Sequence, residues 1–183
     1  MKVESLAIAD VKLVHAPVFR DDRGFFSETW NCKSLAEAGI DAHFIQDNHA
    51  FSHAKGTVRA LHFQAPPMAQ DKLVRVVRGS IRDVAVDLRR ASPTFGRHVA
   101  VDLSASNWLQ IWVPKGFAHG YVTLEPDTEV VYKVTGYYSP AHEAGLQWDD
   151  PALDIDWGVM RANAVLSEKD LKLPPLAALA NPF

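Results

Sequence analysis

Two histidines stand inside apolar, strand-like runs of the chain. His62 lies in the run RALHFQ, and His119 lies in the run PKGFAHG. A buried histidine needs hydrogen-bond partners or takes a depressed pKa. Together with Arg59 and Lys72, which are near in sequence, the two histidines predict a polar pocket inside a β-barrel. The alternative is that each is a core histidine whose hydrogen bonds are satisfied by its neighbours.

A tyrosine and a lysine would add acid–base chemistry to this pocket. In the run VVYKV, strand alternation places Val130, Tyr132 and Val134 on one face, the expected core face, so the phenol is directed inward. A histidine base and a tyrosine acid on opposite sides of a bound carbon suit the transfer of a proton between its faces. Lys72 nearby would stabilise an oxyanion such as an enolate. Spacing alone favours a plainer alternative, in which Tyr132 is a buried tyrosine bonded to a backbone carbonyl and Lys72 is an ordinary surface lysine.

Arg59 and His62 are three residues apart. In a regular strand their side chains would point to opposite faces. The pocket hypothesis therefore requires a bulge or a bend between them.

The spacing Pro-x-Gly-x-x-His that ends at His119 is similar to the second histidine motif of the cupin superfamily. Metal-binding cupins usually also carry a His-x-His pair followed by a glutamate. Here that position reads His62-Phe63-Gln64, and no glutamate follows within several residues. Two histidines without a third ligand make a poor zinc or iron site. We therefore expect a jelly roll without a metal.

Composition narrows the class of protein. A chain of 183 residues suits one domain, residues 1–183, and the net charge of −3 offers no global attraction to nucleic acid or to an anionic membrane. Cys32 is the single cysteine, so no intrachain disulfide forms, and a reducing, cytoplasmic compartment is expected. Residues 1–15 have scattered charges and are not expected to be a signal peptide, and no run reaches the roughly 20 apolar residues of a membrane span.

The middle of the chain has the alternation typical of strands. Residues 73–88 alternate on both sides of residues 79–80, as a hairpin would. A short helix is expected at 34–38, and a turn at 167–172 capped by Ser167. Many short strands at close spacing predict an all-β fold, a cupin-type jelly-roll barrel with a few short helices at the ends. The other predicted strands span 98–103, 109–113 and 129–135.

A series of sequence blocks over most of the chain resembles the dTDP-4-dehydrorhamnose 3,5-epimerase family, and their joint order is more specific than any single motif. The blocks are DRGFFSE (22–28), QDNH (46–49), RALHFQ (59–64), KLVRVV (72–77), DVAVDLR (83–89), SPTFG (92–96), PKGFAHG (114–120), YK (132–133), YY (137–138) and LSEKD (166–170).

The resemblance implies a role for each matching residue. His62 resembles the proton-abstracting base, Asp170 the carboxylate that orients it, and Tyr132 the acid on the opposite face. Lys72 resembles the group near the sugar ketone, and Tyr138 the residue that stacks on the thymine ring. The implied substrate-binding set is completed by Arg23, Phe26, Glu28, Gln46, Asn48, Arg59, His119, Glu143 and Lys169.

Plainer alternatives exist for several of these residues. Asp170 alone would be assigned as a surface acid at a helix end. Arg23 and Glu28 would suit a surface ion pair. Turn or rim positions would equally explain Gln46, Asn48 and Glu143.

The reaction implied by the resemblance is epimerisation of dTDP-4-dehydro-6-deoxy-D-glucose at carbons 3 and 5 to dTDP-4-dehydro-L-rhamnose. The ketone at carbon 4 acidifies both protons, and no redox change occurs, so no cofactor is expected; the chain also lacks a Gly-x-Gly-x-x-Gly motif. The resemblance implies a homodimer. Two alternatives stay open, a single-carbon epimerase of another dTDP-4-keto-deoxysugar and a noncatalytic sugar-binding cupin.

Overall fold

Two antiparallel β-sheets face each other in the structure, a computed structural model that describes residues 1–180 and 183. In spatial order, the first sheet of the described residues contains β1 (Lys2–Ser5), β2 (Lys12–His15), β10 (Leu109–Val113), β7 (Lys72–Arg78), β12 (Thr128–Val134) and β5 (Gln46–Ser52). The second sheet contains β13 (Glu143–Gly145), β6 (Val58–Gln64), β11 (Phe117–Thr123), β8 (Ser80–Asp87) and β9 (His98–Ser104). A separate hairpin pairs β3 (Val18–Asp21) with β4 (Gly24–Ser27).

The core lies between the two sheets, as strand alternation predicts. Val74 and Val130 of the first sheet pack in one buried cluster with Ile81 and Phe117 of the second. Tyr132 packs against the same cluster, so the predicted core face of β12 is confirmed. The outer face of the second sheet is covered by residues of the C-terminal third of the chain. The predicted all-β jelly-roll class is confirmed, and the predicted strands at 98–103, 109–113 and 129–135 correspond to β9, β10 and β12.

The predicted hairpin across residues 73–88 is wrong. Strand β7 pairs with β10 and β12, whereas β8 pairs with β11 and β9, so the chain crosses from one sheet to the other between them. Gly79 makes the corner with a φ of +74°, a left-handed conformation that glycine adopts without strain. A Cβ at Gly79 would lie 2.3 Å from Thr128 Oγ1. Alternation identifies each strand, but the partner of a strand depends on contacts distant in sequence.

Helical structure is short, as expected. Helix α1 spans Cys32–Glu37, and Asn31 caps it by accepting a hydrogen bond from the Ser34 N–H. A 3₁₀ turn at Asp170–Lys172 follows Ser167, whose Oγ accepts a hydrogen bond from the Asp170 N–H, so the predicted cap is confirmed. Further 3₁₀ turns of the described residues span Pro140–His142, Arg161–Asn163 and Leu176–Ala178. Within residues 1–180 and 183, none of the helices has the length and apolarity that crossing a membrane requires.

An irregularity in β6 brings Arg59 and His62 to one side of the sheet. On β11, His119 is paired with His62 but Tyr121 with Arg59, so two residues of β6 lie opposite the single residue Gly120. This two-against-one pairing is a β-bulge, which reverses the alternation of the bulged strand. Both side chains consequently line the same cavity, which confirms the predicted irregular strand.

Gly120 is needed opposite this bulge because the two strands approach closely there. A Cβ at Gly120 would lie 2.3 Å from the Cβ of Ala60 and 2.8 Å from the Arg59 carbonyl oxygen. Gly120→Ala should therefore lower the free energy of unfolding by about 1–3 kcal/mol, the usual cost of overpacking, as measured by denaturant unfolding. The control is Gly136→Ala, where the nearest atom to a Cβ would be Cγ of the flexible Gln70 side chain, at 3.3 Å, and backbone oxygens would lie no closer than 3.7 Å. Equal stabilities of the two variants would contradict the packing argument.

Candidate functional site

The second sheet contributes a histidine–carboxylate pair to the site. His62 Nε2 lies 2.5 Å from Asp170 Oδ1, and the Asp170 side chain is only 6% exposed. A carboxylate only accepts hydrogen bonds, so Nε2 carries the proton and Nδ1 keeps the lone pair of a base. Burial raises the pKa of Asp170, but the hydrogen bond from His62 outweighs it and leaves that pKa below its ordinary value. Asp170 is therefore an ionised orienting group and not a surface acid.

The first sheet forms the facing wall, and strand register explains its composition. Tyr132 of β12 is paired with Asn48 of β5, and two residues further along β12 Val134 is paired with Lys72 of β7 and with Gln46 of β5. Residues two apart on a strand share a face, so all four polar side chains lie on the same face. Within the described chain no residue hydrogen-bonds to the Tyr132 hydroxyl. The plainer alternative, in which this hydroxyl is bonded to a backbone carbonyl, is therefore not what the structure shows. Burial raises the pKa of Tyr132, which keeps the phenol protonated as an acid must be.

A second histidine–carboxylate pair, His119 and Asp83, lies beside the first. Their strands place them across β11 and β8, and His119 Nε2 lies 2.9 Å from Asp83 Oδ2 and 3.0 Å from Oδ1. Both side chains are buried. Burial lowers the pKa of His119, and the Asp83 charge opposes that shift. Sequence analysis missed Asp83, although a charged residue at an inward position of the apolar run DVAVDL is a signal for it.

Lys72 is a cavity lysine and not the surface lysine of the plainer alternative. It is half-buried, and burial lowers its pKa from 10.5 to about 8 even though Asp83 and Glu143 act in the opposite direction. The described residues offer its ammonium no hydrogen bond or ion pair. At pH 7 most of this lysine is still charged, so a cation faces the cavity without a fixed partner.

Two adjoining cavities, of about 430 Å³ and about 380 Å³, share His62, Lys72 and Tyr132 as walls. The first cavity is also lined by Arg59, His119, Tyr121, Lys169 and Asp170. The second cavity is also lined by Gln46, Asn48, Gln64, Tyr138 and Glu143. The structure thus brings together eleven of the fourteen sequence-predicted site residues around one shared centre.

Hydrogen bonds connect the polar residues at the second cavity. The Tyr138 hydroxyl donates to Glu143 Oε2 at 2.7 Å, and Glu143 Oε1 is paired with the Lys169 ammonium. Gln46 Nε2 donates to Asn48 Oδ1 at 2.8 Å. Burial raises the pKa of Glu143, but Lys169 and Tyr138 bring it below its ordinary value, so the carboxylate is ionised. Lys169 is adjacent in sequence to Asp170, so this network reaches the His62 pair.

Arg59 enters the first cavity held by neutral groups. Its Nε donates to Ser52 Oγ at 3.3 Å and its Nη2 donates to the Phe51 carbonyl at 3.1 Å. Tyr121, which sequence analysis did not select, lines the same cavity with its hydroxyl buried, and burial raises the pKa of this phenol to about 12. Its position two residues after His119 on one strand places both on the inner face.

Three predicted residues do not reach this site within their own chain. Arg23 and Phe26 belong to the β3–β4 hairpin, where they line a different cavity. Arg23 is paired with Asp21, and Glu28 accepts a hydrogen bond from Asn31, so the proposed Arg23–Glu28 ion pair is not formed.

Gln64 occupies the position where metal-binding cupins have a second histidine. Both ends of its side-chain amide are hydrogen-bonded to the backbone of neighbouring loops. Among residues 1–180 and 183, no group of three or more His, Cys, Asp or Glu side chains is arranged to hold a metal ion.

Comparison with known proteins identifies relatives among the dTDP-sugar epimerases. A family model described as dTDP-4-dehydrorhamnose 3,5-epimerase matches residues 5–178. The Pseudomonas aeruginosa dTDP-4-dehydrorhamnose 3,5-epimerase is 52% identical over 171 residues, 93% of each chain. A Bacillus anthracis enzyme of the same name, crystallised with TDP and PPi bound, has a TM-score of 0.92 and 49% identity over 95% of this chain and 98% of its own. A Legionella pneumophila dTDP-6-deoxy-D-glucose-3,5-epimerase in complex with dTDP-4-keto-L-rhamnose has a TM-score of 0.93 and 41% identity. The match covers 97% of this chain and 94% of the Legionella chain.

The partly neutralised lysine gives a prediction that does not depend on any substrate. The midpoint of the Lys72 side-chain titration, followed by NMR and assigned with a Lys72→Arg variant, should lie at about 8. Because the negative charge of Asp83 raises the Lys72 pKa, Asp83→Asn should move this midpoint to lower pH. As a control, Asp102→Asn removes an exposed carboxylate that is paired with Arg82, and it should leave the Lys72 titration midpoint unchanged. A midpoint that rises or stays constant in Asp83→Asn would contradict the assigned electrostatics.

Proposed function

The chain belongs to the dTDP-4-dehydrorhamnose 3,5-epimerase family, and from that premise we propose how its cavities carry out the reaction. The protein is an isomerase of dTDP-L-rhamnose biosynthesis, which epimerises the 4-keto sugar at carbons 3 and 5. The observation that carries the proposed mechanism is the position of His62 and Tyr132 on facing sheets around one cavity. A base on one wall and an acid on the other match the inversion of a carbon between them.

His62 removes the proton next to the ketone. Its Nδ1 is the ring nitrogen left with a lone pair, because Nε2 donates to Asp170. The imidazolium formed by the proton transfer is stabilised by the adjacent ionised carboxylate, which also fixes the ring orientation. Asp170 therefore acts on the reaction through His62.

Lys72 stabilises the negative charge that develops on the carbon-4 oxygen. The C–H electron pair moves into the C–C bond, and the carbonyl electrons move onto oxygen to give an enolate. The half-buried Lys72 ammonium has no competing partner within the described residues and lies in a cavity where charge interactions are strong. Tyr132 then returns a proton to the carbon from the opposite sheet, with inversion of configuration.

The second cavity suits the nucleotide end of the substrate. We assign Tyr138 to stacking on the thymine ring, with Gln46, Asn48, Glu143 and Lys169 as polar contacts around it. Arg59 supplies charge for the diphosphate, since a guanidinium binds phosphate oxygens through paired N–H donors. The nucleotide bound to the Bacillus anthracis relative and the dTDP sugar bound to the Legionella pneumophila relative support binding of such a ligand by this chain.

The division between base and acid predicts different effects for two variants on dTDP-4-dehydro-6-deoxy-D-glucose in heavy water, followed by proton NMR. With the unaltered protein, deuterium should enter carbons 3 and 5. His62→Ala should abolish both exchange and epimerisation, because no proton leaves the sugar. Tyr132→Phe should depress epimerisation by about 10²–10⁴-fold but exchange less, because His62 still removes a proton and returns it to the same face.

Each outcome of that experiment discriminates among the functions considered. Exchange at only one carbon would identify a single-carbon epimerase, and no exchange at either would identify a noncatalytic binding protein. If Tyr132→Phe epimerised within a few-fold of the unaltered protein, Tyr132 would be a packing residue and the acid another group. Tyr137→Phe, at an exposed tyrosine outside both cavities, is the matched control.

We further propose a homodimer in which the β3–β4 hairpin completes the site of the other copy. The hairpin belongs to neither sheet and exposes Phe19, Phe25 and Phe26 by 60–68%. An isolated two-stranded hairpin is marginally stable, and grouped exposed apolar rings mark an interaction surface. The same hairpin carries Arg23, which the resemblance assigns to substrate but which lies outside both cavities of its own chain. A second copy is the partner that would give such a residue a substrate to bind.

Subunit complementation tests this arrangement. His62→Ala lacks the base, and the Arg23→Ala, Phe26→Ala double variant lacks the hairpin contacts, so each alone should be impaired. If the hairpin acts on the other copy, mixing with subunit exchange should restore about a quarter of the sites, since half of the dimers are mixed and each has one complete site. Light scattering should confirm two chains per particle. No recovery in a mixture shown to contain mixed dimers would mean that each hairpin serves its own chain.

We propose a cytoplasmic enzyme whose residues 1–183 form one domain and whose reaction needs no metal or redox cofactor. The free, single Cys32 supports a reducing compartment. The two sheets share one buried cluster, which supports a single domain. Proton transfer by histidine and tyrosine, with a lysine at the enolate oxygen, involves no redox change, and exchange with solvent returns His62 and Tyr132 to their starting protonation states before the second carbon reacts.

A further inference from the structure

Gln64 is a buried cavity residue to which the reaction assigns no part. Its Nε2 donates to the Met68 carbonyl at 2.8 Å and to the Tyr137 carbonyl at 3.1 Å, and its Oε1 accepts from the Ser139 N–H at 2.6 Å. Carbonyls only accept and a backbone N–H only donates, so these partners fix the orientation of the amide. Every hydrogen bond recorded for this side chain therefore goes to the backbone.

Two of these bonds flank a single residue. The Tyr137 carbonyl belongs to the peptide group before Tyr138, and the Ser139 N–H belongs to the peptide group after it. Fixing both peptide groups fixes the backbone angles of Tyr138, and with them the direction of its Cα–Cβ bond. Gln64 thus fixes the direction in which the side chain of the half-exposed Tyr138 leaves the backbone.

Other contacts hold the segment on both sides of Tyr138 but not the two peptide groups next to it. The Gln70 side-chain amide donates to the Gly136 carbonyl at 2.6 Å, and the Ser139 carbonyl accepts from the His142 N–H at 3.0 Å. The His142 carbonyl accepts from the Ala65 N–H at 2.8 Å, next to Gln64 in the chain. The Tyr138 hydroxyl reaches Glu143 at 2.7 Å, which positions the tip of the side chain only if the backbone is already in place. An exposed ring with one terminal hydrogen bond loses little freedom from that bond alone, so the backbone clamp carries the positioning.

We propose that Gln64 is a positioning residue for substrate binding, which holds the Tyr138 ring where the nucleoside base of the substrate stacks. The inference rests on the nucleotide assignment of the second cavity made above. Gln64 acts through Tyr138 and not on the reacting carbons. The position that supplies a metal ligand in other cupins here organises recognition of an aromatic base.

The test is a double-mutant cycle on Gln64→Met and Tyr138→Ala. Methionine has a similar length and no charge but makes none of the three hydrogen bonds. Gln64→Met should raise KM for the dTDP sugar and weaken dTDP as a competitive inhibitor by about tenfold, the scale of a lost base stack, with kcat nearly unchanged. In the Tyr138→Ala background the same substitution should have no further effect, because the ring it positions is gone.

The controls separate this role from simple stability. Gln147→Met removes a glutamine whose amide donates to Asp149 outside both cavities, and it should change neither KM nor dTDP affinity. Gln64→Asn keeps the amide but lacks its reach, and it should repeat the effect if the methionine variant does not fold. Losses that add in the double variant, or a lower melting temperature with unchanged KM, would overturn the inference. If Tyr138→Ala itself leaves dTDP affinity unchanged, the stacking assignment and the inference both fail, while epimerisation by the unaltered protein is judged separately by deuterium exchange.

Discussion

The hydrogen bond between His62 and Asp170 joins two parts of the chain 108 residues apart, and the shape of the site depends on it. A buried carboxylate is costly unless it is paired, so Asp170 holds the C-terminal segment against β6. The neighbouring Lys169 then reaches Glu143 on β13, which is itself paired with β6. Strand β6, the edge strand β13 and the C-terminal segment are thus each in contact with the other two beside the cavities.

A polar cavity inside a barrel is stable only if its groups are distributed between the sheets and supported from behind. Asp83 is hydrogen-bonded to His119, and Asp170 is hydrogen-bonded to His62. Each histidine therefore uses Nε2 for its carboxylate and keeps Nδ1 for other interactions. The facing wall instead presents Tyr132 and Lys72, both of which are hydrogen-bond donors in their protonated forms. No protein group accepts from them within the described residues, so a bound substrate can serve as their acceptor. In the proposed mechanism the fold separates proton acceptor from proton donor by the distance between its sheets, and burial raises the pKa of the donor Tyr132.

Local pattern predicts part of this structure and long-range pairing decides the rest. Alternation placed Tyr132 on the core face, and two inward positions three apart predicted the irregularity between Arg59 and His62, because both depend only on the period of a strand. The same alternation suggested a hairpin at Gly79, since nothing within 73–88 distinguishes a turn within a sheet from a crossing between sheets. Asp83 could not be assigned a role before its partner strand was known. Arg23 lies on the separate hairpin outside both cavities, and its proposed contact with a second copy cannot be predicted from the alternation within one chain.

The charges of the cavity explain how a protein of net charge −3 meets an anionic substrate. Lys169 is already paired with Glu143, and part of the Lys72 population is neutral near its pKa of about 8. Arg59 differs because its fixed partners, the Ser52 hydroxyl and the Phe51 carbonyl, are neutral. They set the direction of the guanidinium without cancelling its charge, and within the described residues no carboxylate forms an ion pair with it. In the proposed binding mode the diphosphate therefore meets a cation whose orientation is already fixed, so binding costs little side-chain entropy and breaks no existing ion pair.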